Sequence, residues 1–215
     1  MARPASDIRA RIVRSARARF LAEGVDGASL RTIARDAKTN VGMVFYYFPN
    51  KDDLFLAVVE EVYGKLLADL GTALGGAGPT RARLARVFLR IGEATEDELE
   101  VVRLVVREVL LSSERFQRVF ARMQRGHLKM LLETLGKGVR DGEIDPQVPP
   151  PLLLLSTLGL GALPQFVRRA AGNAPPFRAL PAPPALAEAS ADLLFRAIGA
   201  RPRPRKASRK PRRIA

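Results

Sequence analysis

The stretch TNVGMVFYYFPNKDDL (Thr39–Leu54) decides the fold. It crowds Met43, Val44, Phe45, Tyr46, Tyr47 and Phe48 into consecutive positions of a chain with ten Phe, three Tyr and no Trp. On a helical wheel started at Val41, the residues Val44, Phe45 and Phe48 fall within about sixty degrees of it, the i, i+3, i+4, i+7 stripe of a core-facing helix. Met43, Tyr46 and Tyr47 fall on the other side, with Gly42 at the boundary. The wheel predicts a short helix anchored by four residues, with a Met and two Tyr turned outward beside Thr39 and Asn40. An outward apolar patch needs a partner. From these residues alone that partner is either DNA or a neighbouring domain.

Upstream, Ile8, Ile12, Val13, Ala16, Phe20 and Leu21 recur at helical spacing until Gly24 stops the pattern. Ser29 is placed as the N-cap of a short second helix whose apolar face is Leu30, Ile33, Ala34 and Ala37. Two short helices joined by about four residues in a basic segment fit a helix-turn-helix, whose second helix enters the DNA major groove. In that setting Gly42 lets the backbone approach closely, Tyr hydroxyls bond phosphates or bases, and Met43 packs on a thymine methyl.

Downstream, Pro49 and Asn50 make a break. A longer helix follows from about Asp52 to GGAGP (Gly75–Pro79). Further helical patterns occupy roughly 80–94, 97–112, 114–140, 150–171 and 182–199, with turn-rich DGEIDPQVPPP (Asp141–Pro151) and GNAPPFRALPAPP (Gly172–Pro184) between the last of them. No run alternates with period two, so the expected fold class is all-α, divided into an N-terminal segment 1–51, a helical body 52–200 and a tail 201–215.

Charge follows the same division. The chain carries +14 in total: residues 1–51 hold +6, residues 52–200 sum to zero and residues 201–215 hold +8. Basic ends on a neutral body point to an anionic polymer bound at the ends. Arg outnumbers Lys 29 to 7, and coding bias explains that choice without explaining why the excess avoids the middle. The tail cannot bury a core and is expected to be a disordered cationic segment. It would raise affinity for any DNA, or touch acidic lipids.

The absence of cysteine excludes disulfides, thiol nucleophiles and thiolate metal sites, and fits a cytoplasmic protein. The N-terminus has no apolar h-region. The run LLLLSTLGLGAL (Leu152–Leu163), set between Pro149–Pro151 and Pro164, is too short to cross a bilayer, so no membrane span is expected.

The order of residues in SLRTIARDAKTNVGMVFYYFPNKDDLF (Ser29–Phe55) resembles the DNA-binding segment of TetR-family transcriptional regulators, and RIVRSARARFLAEGVDGASL (Arg11–Leu30) resembles that family's first helix. The resemblance covers the first 55 residues or so; the rest matches only as a general layout. It implies an N-terminal three-helix helix-turn-helix DNA-binding domain followed by a helical ligand-binding and dimerisation domain. Ser29 and Arg31 then approach DNA from the second helix. Thr39, Asn40, Gly42, Met43, Tyr46 and Tyr47 lie on or beside the recognition helix, and Lys51 contacts a phosphate. A helix N-terminus beside Lys51 would favour the same anion; without the resemblance Lys51 also reads as a solvent lysine pairing with Asp52 and Asp53. Two positions depart from the family pattern. Lys38 stands where Gly is usual, which implies a left-handed lysine or an altered turn. Phe45 stands where Tyr is common, which removes one hydroxyl.

The resemblance further implies a cytoplasmic repressor of double-stranded DNA, released from its operator by a small-molecule inducer of unknown identity. It also implies a homodimer through the helices at about 150–171 and 182–199. Two recognition helices about 34–36 Å apart would demand a near-palindromic operator. Composition gives separate support: Leu152 to Leu155 are consecutive, so that helix must be covered on more than one side, by a second copy or within a monomer core. Gly159 and Gly161 allow close approach there, and Pro164 should kink or end the helix.

Catalysis finds little to work with. One His and no Cys cannot build the common zinc sites, no Gly-rich loop follows a strand, and no catalytic, metal or cofactor site is expected. His127 reads as a surface or satisfied core residue, or as an inducer contact. Arg103 and Arg107 are expected on a solvent face beside Glu108, and the acids from Glu93 to Glu100 as a solvated helix end. A ligand-independent basic DNA-coating protein and a small all-α enzyme remain as alternatives.

Overall fold

The structure, a computed structural model, describes residues 5–172 and 174–200; the expected basic tail at 201–215 lies outside the described residues. The described chain is helical, in the order α1 (Ala5–Gly27), α2 (Leu30–Asp36), α3 (Val41–Tyr47), α4 (Lys51–Gly75), α5 (Thr80–Gly92), α6 (Glu96–Leu111), α7 (Ser113–Gln124), α8 (His127–Arg140), α9 (Pro150–Ala171) and α10 (Pro183–Ile198). A 3-10 turn at Phe177–Ala179 lies before α10.

Helices α1 to α3 close on a small core because each carries apolar residues at helical spacing. Ile12, Ala16 and Phe20 of α1 meet Ile33 and Ala34 of α2, Val44 of α3, and Leu54 and Phe55 of α4. Gly24 breaks α1 with φ 79 and ψ 166, a conformation that L side chains resist, so the last three residues turn toward α2. The same core continues through Tyr63 of α4 to Val101 and Leu104 of α6 and Val119 of α7. A second core joins the far end of α4 (Leu70, Leu74) with α5, α8, α9 and α10. The long α4 is therefore common to both.

Three expectations change here. The pattern over 114–140 is two helices: α7 ends at Gln124, and α8 starts at His127 after Gly126. A Cβ on Gly126 would sit 2.8 Å from the Tyr63 hydroxyl, so the close approach of α4 accounts for the break. Helix α9 runs on through Pro164, since its last turns are tied elsewhere: Gln165 Nε2 donates to the Pro183 carbonyl (3.2 Å), and Arg169 bonds the Ala94 carbonyl and Glu96. Of the two glycines, Gly161 packs directly under the Phe88 ring, whereas Gly159 faces open space.

At 22 residues α9 is long and apolar enough, by length and composition, to cross a membrane. One stripe (Leu153, Thr157, Gly161, Gln165) is buried in the bundle, and Leu152, Leu155 and Leu163 are exposed.

Candidate nucleic-acid interface

The turn between α2 and α3 is made by Ala37 to Asn40. Lys38 adopts φ 52, the left-handed conformation implied by a lysine in a glycine's place. Asn40 then caps α3, its Oδ1 accepting the Met43 N–H at 2.9 Å. That leaves the Asn40 amide NH2 as its free donor.

On α3 the phase of the wheel is corrected. Val44 and Phe48 are buried, but Phe45 is 51% exposed and Tyr47 is packed against the core, with Tyr46 77% exposed. Phe48 has left the helix (φ −138, ψ 98), so the core-facing stripe of a seven-residue helix is buried Val44 flanked by half-buried Val41 and Tyr47, instead of Val41, Val44, Phe45. The outward face is Gly42, Met43, Phe45 and Tyr46. Tyr47 sits edge-on to Tyr46, ring centroids 5.1 Å apart, and so supports it from behind.

The other expected residues flank this face. Ser29 is the N-cap of α2, yet its hydroxyl makes no capping bond and stays exposed. Arg31 is exposed on the same helix, and Thr39 is half-buried in the turn. Lys51 is the first residue of α4, where the Asn50 side chain accepts the Asp53 N–H at 2.9 Å. Its Nζ donates to the Asp26 carbonyl at 2.9 Å, and no ion pair with Asp52 or Asp53 forms among the described residues. Sequence reasoning missed three members: Phe45, Arg35 and Lys38. Arg31, Arg35 and Lys38 line one open groove with Thr39 and Asn40, and their i, i+4, i+7 spacing was the available signal.

Behind the interface, ion pairs join α1 to the body. Arg17 Nη2 reaches Asp97 and Glu100, both at 2.8 Å, so these acids are paired rather than merely solvated. Glu108, expected near solvent, is 2% exposed: its Oε2 accepts Arg115 Nη1 at 2.8 Å, and its Oε1 accepts the Val25 N–H and Arg107 Nε, each at 3.2 Å. Arg115 also bonds Asp52 Oδ1 (3.0 Å) and Asp26. The Asp26 carboxyl is held below its usual range by the hydrogen bond from Arg115.

Within the body a cavity of about 270 Å³ lies between α4, α5, α6, α8 and α9, with apolar walls such as Leu66, Val87, Val102, Leu131 and Phe166. Three polar side chains line it: Tyr63, Glu98 and His127. Tyr63 OH accepts the His127 backbone N–H at 3.3 Å and meets His127 Nδ1. Burial raises the Tyr63 phenol and lowers the His127 imidazole. Burial alone would raise Glu98, but Arg90 (2.5 and 3.1 Å) and the Thr95 N–H (2.8 Å) overcome it and hold the carboxyl below its usual range.

Comparison with known proteins agrees with this architecture. Residues 12–58 match the family described as "Bacterial regulatory proteins, tetR family". The nicotine-responsive transcriptional repressor HdnoR of Paenarthrobacter nicotinovorans is 36% identical over 81 residues, which is 37% of this chain and 42% of that protein. The probable transcriptional regulator YttP of Bacillus subtilis is 31% identical over 105 residues, 48% of this chain and 51% of its own length. The match thus spans about half the length of these relatives or less. A tetR family transcription regulator from Shewanella sp. PV-4 superposes with TM-score 0.70 at 19% identity, covering 90% of this chain and 99% of that one. FadR from Bacillus subtilis, solved with stearoyl-CoA, superposes with TM-score 0.66 at 19% identity, covering 86% and 97%. Residues 12–58 thus carry the DNA-binding segment of the tetR family of bacterial regulatory proteins, and the described chain as a whole shares the all-helical fold of the solved regulators.

Proposed function

We propose that this protein is a dimeric, cytoplasmic, sequence-specific repressor that leaves a near-palindromic operator when a small molecule fills the cavity of its body. The observation that carries this reading is the outward face of α3, where Gly42, Phe45 and Tyr46 are exposed and Met43 is half-buried beside them, over a core anchored by Val44 and Phe48. Ser29, Arg31, Thr39, Asn40, Tyr47 and Lys51 surround it as backbone-positioning or base-reading groups. The exposed Leu152, Leu155, Leu163 and Leu193 of α9 and α10 supply an apolar face for a second copy.

Release would run through shared elements. Helix α6 gives Val102 and Val105 to the cavity wall and Glu108 to the ion pairs at the α1–α2 turn, and α4 runs from the interface to the cavity. A ligand that favours one setting of these helices changes the separation of the two recognition helices. A DNA-coating protein has no use for the cavity, which favours the ligand-responsive reading.

Selection of bound sequences from a random DNA pool at about physiological salt tests it. A recovered palindrome is the expected result. Featureless recovery would return the protein to general DNA coating.

A further inference from the structure

The cavity constrains what can fill it, beginning with size. An apolar cavity of about 150 Å³ holds benzene, so about 270 Å³ is the room of roughly ten heavy atoms. Exposed Val106 and Leu158 also line the cavity and mark its opening between α6 and α9.

Charge is the second constraint. Among the described residues no Lys or Arg lines the cavity, so a buried ligand anion would have no permanent cation there to offset its desolvation. The lone carboxylate, Glu98, has Oε1 taken by Arg90 and Oε2 by Arg90 and the Thr95 N–H, and Arg90 also pairs with Asp69 at 2.8 Å. A ligand cation would have to compete with a guanidinium already seated in two bonds. Both signs of charge are disfavoured.

The third constraint is the Tyr63–His127 pair. The Tyr63 oxygen accepts the His127 backbone N–H, so its own hydrogen is free to go to Nδ1. In the neutral imidazole, the form that burial favours, the ring hydrogen then sits on Nε2. Nε2 has no hydrogen-bond partner among the described residues, and His127 lines the cavity. Gly126 makes the arrangement possible, because a Cβ there would collide with the Tyr63 hydroxyl.

From these three constraints we infer that the cavity takes an uncharged, mainly hydrocarbon molecule of about ten heavy atoms bearing one hydrogen-bond acceptor, a carbonyl or ether oxygen, that receives the His127 Nε2–H. This deepens the ligand-release reading and rests on it only for the consequence at DNA.

The test uses the full-length protein without DNA and three probes of matched length at pH 7.5: 2-nonanone, octanoate and octylammonium, with nonane as the acceptor-free control. Calorimetry should rank 2-nonanone at least about tenfold above either ion, and about tenfold above nonane, the worth of one hydrogen bond. His127→Phe should abolish the difference between ketone and alkane while keeping alkane binding. Val102→Phe, which leaves the polar pair intact, should weaken 2-nonanone about tenfold and spare 2-hexanone. Octanoate or octylammonium binding as tightly as the ketone would overturn the inference. So would unchanged ketone affinity in His127→Phe, or no binding of any probe to the wild type. Failure of the repressor reading looks different, as loss of a selected DNA sequence with the probe ranking intact.

Discussion

Replacing Arg115 by Met isolates the junction between the DNA-binding helices and the body. The side chain is 9% exposed and reaches Glu108, Asp52 and Asp26 on three different elements. Removing one partner of a buried pair costs about 3–5 kcal/mol, because the other charge stays buried. Here two corrections lower that figure. Glu108 keeps the Val25 N–H and Arg107 Nε, each at 3.2 Å. Asp26 is 81% exposed, so its share is that of a surface pair, about 0–1 kcal/mol. A net loss of about 2–4 kcal/mol remains. At about 2–4 °C per kcal/mol for a chain of this size, Tm should fall by roughly 5–15 °C. Urea denaturation of Arg115→Met, Glu108→Gln and the double variant measures the coupling directly. Neutralising Glu108 removes the stranded charge, so the double variant should be at least about 1 kcal/mol more stable than the two single losses predict. Strict additivity, or a loss under about 1 kcal/mol in Arg115→Met, would show that the junction is only a surface ion cluster.

The interface makes a paired prediction: Tyr46→Ala should leave stability within about 0.5 kcal/mol and weaken operator binding, whereas Tyr47→Ala should cost about 1–3 kcal/mol of stability, read by urea midpoint and by DNA titration of each variant. Lys38→Gly should stabilise the fold by about 1 kcal/mol, since a left-handed L residue costs that much, and should lower the salt slope of DNA binding by about one unit as a cation is lost. For His127, burial lowers the imidazole, so the unfolded chain takes up a proton at higher pH than the folded one. The contribution of neutral His127 is complete above the unfolded value of 6.5 and declines as pH falls below it, by at most about 1.4 kcal/mol per pH unit. His127→Phe should flatten that acid-side slope in chemical denaturation from pH 7 to 5; an unchanged slope would mean that the ring is solvated.

What could be read in advance was local. The short helices α2 and α3, the four-residue turn between them and the left-handed Lys38 all depend on residues within one or two turns of each other, and each lies where spacing put it, whereas the caps that form are those of Asn40 and Asn50 and not the expected one of Ser29. The phase of α3 went wrong because seven residues fix the centre of a stripe only to within one position. Anchoring the wheel on Val41 rather than Val44 exchanged Phe45 for Tyr47. The break at Gly126 was invisible for a different reason. A glycine inside a periodic run reads as tolerated, and only the Tyr63 hydroxyl, 64 positions away from His127, demands it.

The burial of Glu108 belongs to the same class. Its partners come from α7, from the turn after Gly24 and from its own neighbour, so no i, i+4 rule could find them. The cavity is harder still, because empty space leaves no residue pattern; its chemistry is defined by which polar groups are already taken. Glu98, expected at a solvated helix end, lines the cavity instead and is paired there with Arg90. Of the three polar side chains that line the cavity, His127 alone keeps a ring edge without a partner among the described residues. The helices that carry the candidate DNA face could thus be placed from residue order alone, whereas the group proposed to meet the inducer emerges only after every competing bond is assigned.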